Sequence, residues 1–129
     1  QGFAFVGRQY RLNFQDRDFY LDLLFYHLRL RRYVVIEIKR GEFKPEYAGK
    51  VNFYCNVVDD MLRHEGDEPT IGLILCQEPD RVFAEYTLRG VETPIGVSGY
   101  ELTRALPPEM ESTMPTIEQI EAELAEIDR

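Results

Sequence analysis

Alternation dominates the first third of the chain. In FAFVGRQYRLNF, residues 3–14, aromatic and β-branched side chains interleave with polar ones, predicting one bent strand or two short ones. DFYLDLLFYH, residues 18–27, alternates more strictly: Phe19, Leu21, Leu23 and Phe25 fall on one face, and Tyr20, Asp22, Leu24 and Tyr26 on the other. LRLR reads as a short basic connection and RYVVIEIKR as a third strand, so residues 3–40 are expected to form an antiparallel meander. Past GEFKP the period changes. Tyr47, Val51, Tyr54, Val58 and Met61 recur at spacings of four, three, four and three, the apolar stripe of a helix from about Pro45 to Arg63. Pro45 suits its first turn, and HEGDEP ends it. TIGLILC, a short continuous apolar run, predicts a strand covered on both faces. DRVFAEYTLRG reads as a second helix closed by Gly90, and IGVSGYEL as a last strand.

The tail is separable. PPEMESTMP has the composition of a loop, and TIEQIEAELAEID opens with Thr116 as N-cap and Gln119 three residues on, a capping-box arrangement. Its narrow stripe of Ile117, Ile120, Leu124 and Ile127 is expected to dock on the domain or on a protein partner. The element order is thus β-β-β-α-β-α-β plus a terminal helix, an α/β layer architecture with a mixed sheet. Residues 1–105 are read as the domain, and 106–129 as a linker and C-terminal amphipathic helix.

A length of 129 residues is one domain's worth, large enough to bury a core without disulfide staples. No apolar run approaches a bilayer span and no signal peptide is evident, so a soluble, cytoplasmic protein with no membrane partner is expected. Cys55 and Cys76 lack the spacing of a zinc site and are read as reduced core thiols. The opening on Gln1, directly before a strand-like pattern, suggests a fragment of a longer chain. A net charge of −8 argues at first against a nucleic-acid partner. Its distribution changes that picture: residues 1–50 carry +4 and residues 51–129 carry −12. A basic face of Arg8, Arg11, Arg17, Arg29, Arg31, Arg32, Arg40, Lys44 and Lys50 is available to a polyanion; mixed charge that only maintains solubility is the competing reading.

Within VVIEIKRGEF, residues 34–43, Glu37 and Lys39 interrupt a core-strand pattern where an unpaired charge is costly. If the second and third strands form a hairpin through residues 28–31, so that His27 opposes Arg32, paired residue numbers sum to 59 and Asp22 lands opposite Glu37. Their Cβ atoms are then roughly 4.5–5.5 Å apart, with Lys39 projecting from the same side. Two carboxylates about 4 Å apart repel by on the order of 4 kcal/mol at an effective dielectric near 20. Mg²⁺, or Mn²⁺, offsets this better than Lys39 alone, because such ions take one or two carboxylates with water and phosphate filling the other positions; the Ile38 carbonyl can add a further hard oxygen. The set Asp22, Glu37 and Lys39, with Ile38, therefore fits metal-assisted attack of water on a phosphodiester, Lys39 stabilising charge or accepting a proton. The alternative is a local Glu37–Lys39 ion pair on a solvated face with Asp22 as a bystander.

These residues also carry a resemblance. GFAFVGRQYRL, DFYLDLLFYHLRLRRYVVIEIKRGEFKPEYAGKVNFY, TIGLILC and PIGVSGYEL together resemble the C-terminal nuclease domain of the YhcG-type family, among the PD-(D/E)XK nucleases of restriction-endonuclease-like fold. The resemblance implies a central mixed sheet flanked by helices, divalent-metal dependence and hydrolysis of nucleic-acid phosphodiesters. By position, Asp22 resembles the family's metal-binding aspartate, and Glu37 with Lys39 its ExK element. Leu21 stands where the superfamily name expects proline. Members also tend to carry an upstream helical domain, and many place a further acidic residue on a helix before the first strand; neither is seen in this chain.

Glu46, Lys50 and Tyr54 are candidates for the edge of the site, although Glu46 and Lys50 also suit an ordinary i,i+4 pair. His27 is expected at the surface or on a phosphate, and His64 toward solvent. Tyr20, Tyr26, Tyr47 and Tyr54 are read mainly as core rather than as base-stacking rings. The reading is a Mg²⁺-dependent endonuclease domain acting on DNA. Its rivals are a catalytically weak or inactive nuclease-fold module that binds nucleic acid or a protein partner, and a pure protein-interaction domain. A homodimer that supplies two sites is one arrangement for cutting two strands.

Overall fold

A computed structural model describes residues 2–99; residues 100–129, with the expected terminal helix and its partner surface, lie outside the described residues. The first strand, β1 (Phe3–Phe14), turns through Gln15 and Asp16 into β2 (Arg17–His27). Both turn residues have positive φ (52° and 62°), as a two-residue hairpin loop compatible with strand twist requires. β1 is a single strand, bent by a register shift between Phe5 and Gly7 that leaves Val6 out of the pairing. Residues 28–31 form the second turn, closed by the Arg31 amide donating to the His27 carbonyl at 2.8 Å, and lead into β3 (Arg32–Glu42). Pairing runs from His27↔Arg32 to Leu23↔Ile36, the register in which residue numbers sum to 59.

Helix α1 (Pro45–Met61) begins with proline in its first turn, where the missing N–H removes no intrahelical bond, and ends two residues before the expected Arg63. It returns the chain to β4 (Ile71–Glu78), which lies parallel to β3. Helix α2 (Arg81–Leu88) is capped by Asp80, whose carboxylate accepts from the Phe83 amide at 3.0 Å, and Gly90 follows its end with φ 84°. β5 (Ile95–Gly99) adds parallel to β4. The sheet order among the described residues is β1-β2-β3-β4-β5, an antiparallel meander fused to a parallel half.

Two apolar clusters pack on this sheet. One joins α1 (Ala48, Val51, Tyr54, Cys55, Val58) to Leu12, Leu21, Leu24, Val35, Ile74 and Cys76; the other gathers Leu23, Phe25, Val34, Ile36, Ile71, Leu73 and Leu75. The run Ile71–Cys76 is buried throughout, as a strand flanked on both faces must be. Gly72 sits where α1 crosses β4, and a Cβ there would collide with the Val51 side chain. Both cysteines are free and buried, and burial raises both thiols, Cys76 to about 11.

The expected single face of Phe19, Leu21, Leu23 and Phe25 is divided. Phe19 and Leu21 pack in the helix-side cluster with Leu24, whereas Leu23 and Phe25 join the other. The switch occurs at Asp22, where β2 and β3 cease to pair although both strands continue.

Candidate active site

At that parting the backbone donors turn from carbonyls to carboxylates. The Asp22 amide donates to Glu37 Oε2 at 3.0 Å, and the Ile38 amide donates to Asp22 Oδ2 at 2.8 Å. This reciprocal exchange locks the two carboxylates across the gap. Gln9 on β1 completes the clamp, its Nε2 donating to Asp22 Oδ1 at 3.1 Å. Lys39 Nζ stands 3.9 Å from Glu37 Oε1 and 5.2 Å from the Tyr47 ring centroid; Lys50 Nζ stands 5.8 Å above the Tyr54 ring. The fork between β2 and β3 and the first half of α1 thus bound one site.

Glu37 is 2% exposed, and its acid is pushed up to about 7. Burial is the largest cause and the Asp22 charge the next, opposed by the Asp22 N–H, Lys39 and Lys50. Tyr54, buried beside both carboxylates, is pushed up to about 12, first by burial and then by the charges of Glu37 and Asp22. The Asp22 and Glu37 charges repel, and Lys39 and Lys50 offset that repulsion at Glu37 only in part. The carboxylates' donor set is hard oxygen, and every carboxylate oxygen keeps a lone pair beyond the one its N–H partner uses, so the residues fit a hard divalent cation. Among the described residues no cluster of three His, Cys, Asp or Glu side chains encloses a metal alone, so an ion here would rely on water and phosphate for its other positions.

The other expected site residues separate into those near the fork and those far from it. Lys50 and Tyr54 face the carboxylates electrostatically, whereas Glu46 lies exposed on the first turn of α1. Arg40 and Lys44 are exposed just beyond Lys39, and Arg8 is exposed on β1 opposite Leu23. Arg29, Arg31 and Arg32 surround the β2–β3 turn, five residues along the strand from Asp22 and Glu37, which at about 3.3 Å per residue is roughly 17 Å away. Two of them hold the local structure: Arg32 Nε donates to the Pro69 carbonyl at 2.9 Å, and Arg31 Nε lies 3.9 Å from Asp67. Of the expected basic residues, Arg40, Lys44 and Lys50 thus lie on the elements that bound the fork, and Arg29, Arg31 and Arg32 at the far end of the hairpin.

His27 corrects an expectation. It is buried, not at the surface: Nδ1 accepts the Arg29 and Leu30 amides at 3.2 and 3.1 Å, and Phe3 packs edge-on 4.4 Å from its ring. It organises the turn. His64 is solvent-exposed as expected, and Tyr20 is half exposed while Tyr54 is core. Pattern reading missed Gln9, yet the signal was present: the two-residue turn Gln15–Asp16 pairs Phe14 with Arg17 and carries Gln9 opposite Asp22. It also missed Asp67, buried, with its carboxylate accepting from the Tyr26 hydroxyl at 2.6 Å and the His64 amide at 2.9 Å, contacts that hold it below the usual carboxylate range.

The family model described as the YhcG PDDEXK nuclease domain matches residues 1–115. This chain belongs to that family. It is 40% identical over 100 residues to the Escherichia coli (strain K12) protein named "Putative nuclease YhcG", a match covering 78% of this chain and 27% of that protein; the chain spans about a quarter of its relative's length. Among solved structures, a repair endonuclease from Pyrococcus abyssi superposes with TM-score 0.58 at 15% identity, over 78% of this chain and 39% of that one. The EndoMS-dsDNA2 complex superposes with TM-score 0.54 at 14% identity, over 78% and 37%. These likenesses establish the restriction-endonuclease-like fold. In the PDDEXK domain the fork between β2 and β3 is where Asp22 and the Glu37-Ile38-Lys39 element meet.

Proposed function

We propose that this domain is a divalent-metal-dependent endonuclease that hydrolyses phosphodiester bonds of DNA, with Asp22, Glu37 and Lys39 as its working groups. The observation that carries the reading is the exchange of hydrogen bonds between Asp22 and the Glu37–Ile38 segment, which crowds two carboxylates beside one ammonium in a mostly buried fork. Asp22 and Glu37, with the Ile38 carbonyl, would hold Mg²⁺ or Mn²⁺. When bound, such an ion supplies Lewis-acid stabilisation of the charge that builds on the phosphate and activates water. Lys39, tied to Glu37 and lying over Tyr47, presents its ammonium to the same phosphate oxygens and stabilises the charge that develops there. Lys50 adds a second positive charge at the rim. Membership of a nuclease-domain family, and the dsDNA complex and repair endonuclease among its structural neighbours, support DNA as the polymer. Residues 1–105 would form the nuclease unit and 106–129 its appendage.

The test is cleavage of plasmid and of single-stranded, duplex and branched oligonucleotides by the full-length protein in Mg²⁺, Mn²⁺ or EDTA. Cleavage that needs metal, disappears in Asp22→Asn and falls by roughly 10²–10³ in Lys39→Ala supports the reading. Binding that persists in EDTA and in both variants, with no cleavage by the wild type, replaces it with a binding module.

A further inference from the structure

Four non-glycine residues have positive φ among the described residues: Gln9, Gln15, Asp16 and Arg31. Three of them make turns. Gln9, at φ 46°, lies inside β1, where no turn demands the left-handed conformation, and a side chain with Cβ resists it. Its neighbours Arg8 and Tyr10 pair with Leu23 and Leu21, while the Gln9–Asp22 position between them is missing from the ladder. What the distorted residue does instead is place its side-chain amide on Asp22 Oδ1 at 3.1 Å. A local outlier kept by one specific contact points to a role for that contact.

We propose that Gln9 is a positioning residue that fixes the Asp22 carboxylate for cation binding, a role that rests on the nuclease reading above. Asp22 is clamped from both flanking strands, by the Gln9 side chain of β1 on one oxygen and by the Ile38 amide of β3 on the other, so its plane cannot rotate without breaking a hydrogen bond. The chemical type of the clamp matters. Lys or Arg at this place would neutralise Asp22 and compete with the cation, whereas a neutral carboxamide orients the carboxylate and leaves its charge intact. Glycine would meet the backbone requirement with less strain, but it has no amide to offer.

That contrast supplies the test. Gln9→Gly in the full-length protein relieves the φ strain while deleting the hydrogen bond. Thermal unfolding in EDTA should show an unchanged or higher Tm. Mn²⁺ affinity, read by electron paramagnetic resonance of the free ion in the absence of nucleic acid, should weaken 10- to 100-fold, the range for loss of a partner that orients a ligand, and kcat/KM for DNA cleavage should fall with it. Gln9→Asn, at ease with positive φ but one methylene short, should behave like the glycine variant. Unchanged Mn²⁺ affinity overturns the proposal whatever happens to Tm, and so does a lowered Tm, which would mark Gln9 as structural. The wild-type arm separates the two ideas: if it neither binds Mn²⁺ nor cleaves, the nuclease reading fails; if it does both and Gln9→Gly matches it, the positioning role alone fails.

Discussion

Replacing Glu37 by glutamine should stabilise the metal-free protein at alkaline pH while abolishing cleavage. The Glu37 acid is raised from 4.5 to about 7, by burial first and then by the Asp22 charge. The folded protein therefore holds this proton more tightly than the unfolded chain does, and the stability it lends is complete below pH 4.5 and lost as pH rises through 7. At about 1.4 kcal/mol per pH unit, the loss is on the order of 3 kcal/mol. The side chain is 3% exposed, so solvent screens little of it. Urea unfolding in EDTA of wild type and Glu37→Gln at several values between pH 4.5 and 8.5 measures this directly, because titrations common to both proteins cancel in their difference. The variant should match the wild type near pH 4.5 and exceed it by about 1–3 kcal/mol at pH 8.5, the lower figure allowing for the lost attraction to Lys39. Added Mg²⁺ should then stabilise the wild type alone. A difference that stays flat with pH, or a variant weaker than wild type at pH 8.5, would refute the reasoning.

Lys39→Ala should leave the fold intact and lower kcat by roughly 10²–10³, the range for removal of one group that stabilises developing charge; because Lys39 lowers the Glu37 acid, that pKa should move further up, visible in a carboxyl-carbon NMR titration. Gly72→Ala should cost about 1–3 kcal/mol of stability in urea unfolding, since its methyl meets Val51 at the α1–β4 crossing. Tyr26→Phe removes the 2.6 Å bond to buried Asp67 and should cost about 1–2 kcal/mol with no change in kcat, a control for distance from the fork.

Much of the site was legible because a strand's period of two and a short turn jointly set the register. Placing His27 opposite Arg32 was enough to bring Asp22 to Glu37, and the pairing continues as expected to Leu23↔Ile36. The same geometric rule fails one residue later for a chemical reason. At Asp22 a side-chain carboxylate takes the place of a backbone carbonyl as acceptor, the strands part, and Leu21 turns to the helix side although Leu23 does not. Pattern reading counts polarity and does not anticipate a carboxylate acting as ladder. His27 and Asp67 escaped for a related reason: each is a polar residue buried by local backbone N–H donors, and nothing in their neighbours' polarity announces that. The arginines of the β2–β3 turn read as a nucleic-acid surface, yet Arg31 and Arg32 are engaged with Asp67 and the Pro69 carbonyl. Composition reports how many cations a segment holds and is silent on which are already partnered.

Anomalous diffraction from crystals soaked in Mn²⁺ near pH 8 bears most directly on the fork as a cation site. The account predicts a peak within coordination distance of both the Asp22 and Glu37 carboxylates, lost in Asp22→Asn. A peak elsewhere on the domain, or a fork that stays empty at millimolar Mn²⁺ with Lys39 still held to Glu37, would contradict it.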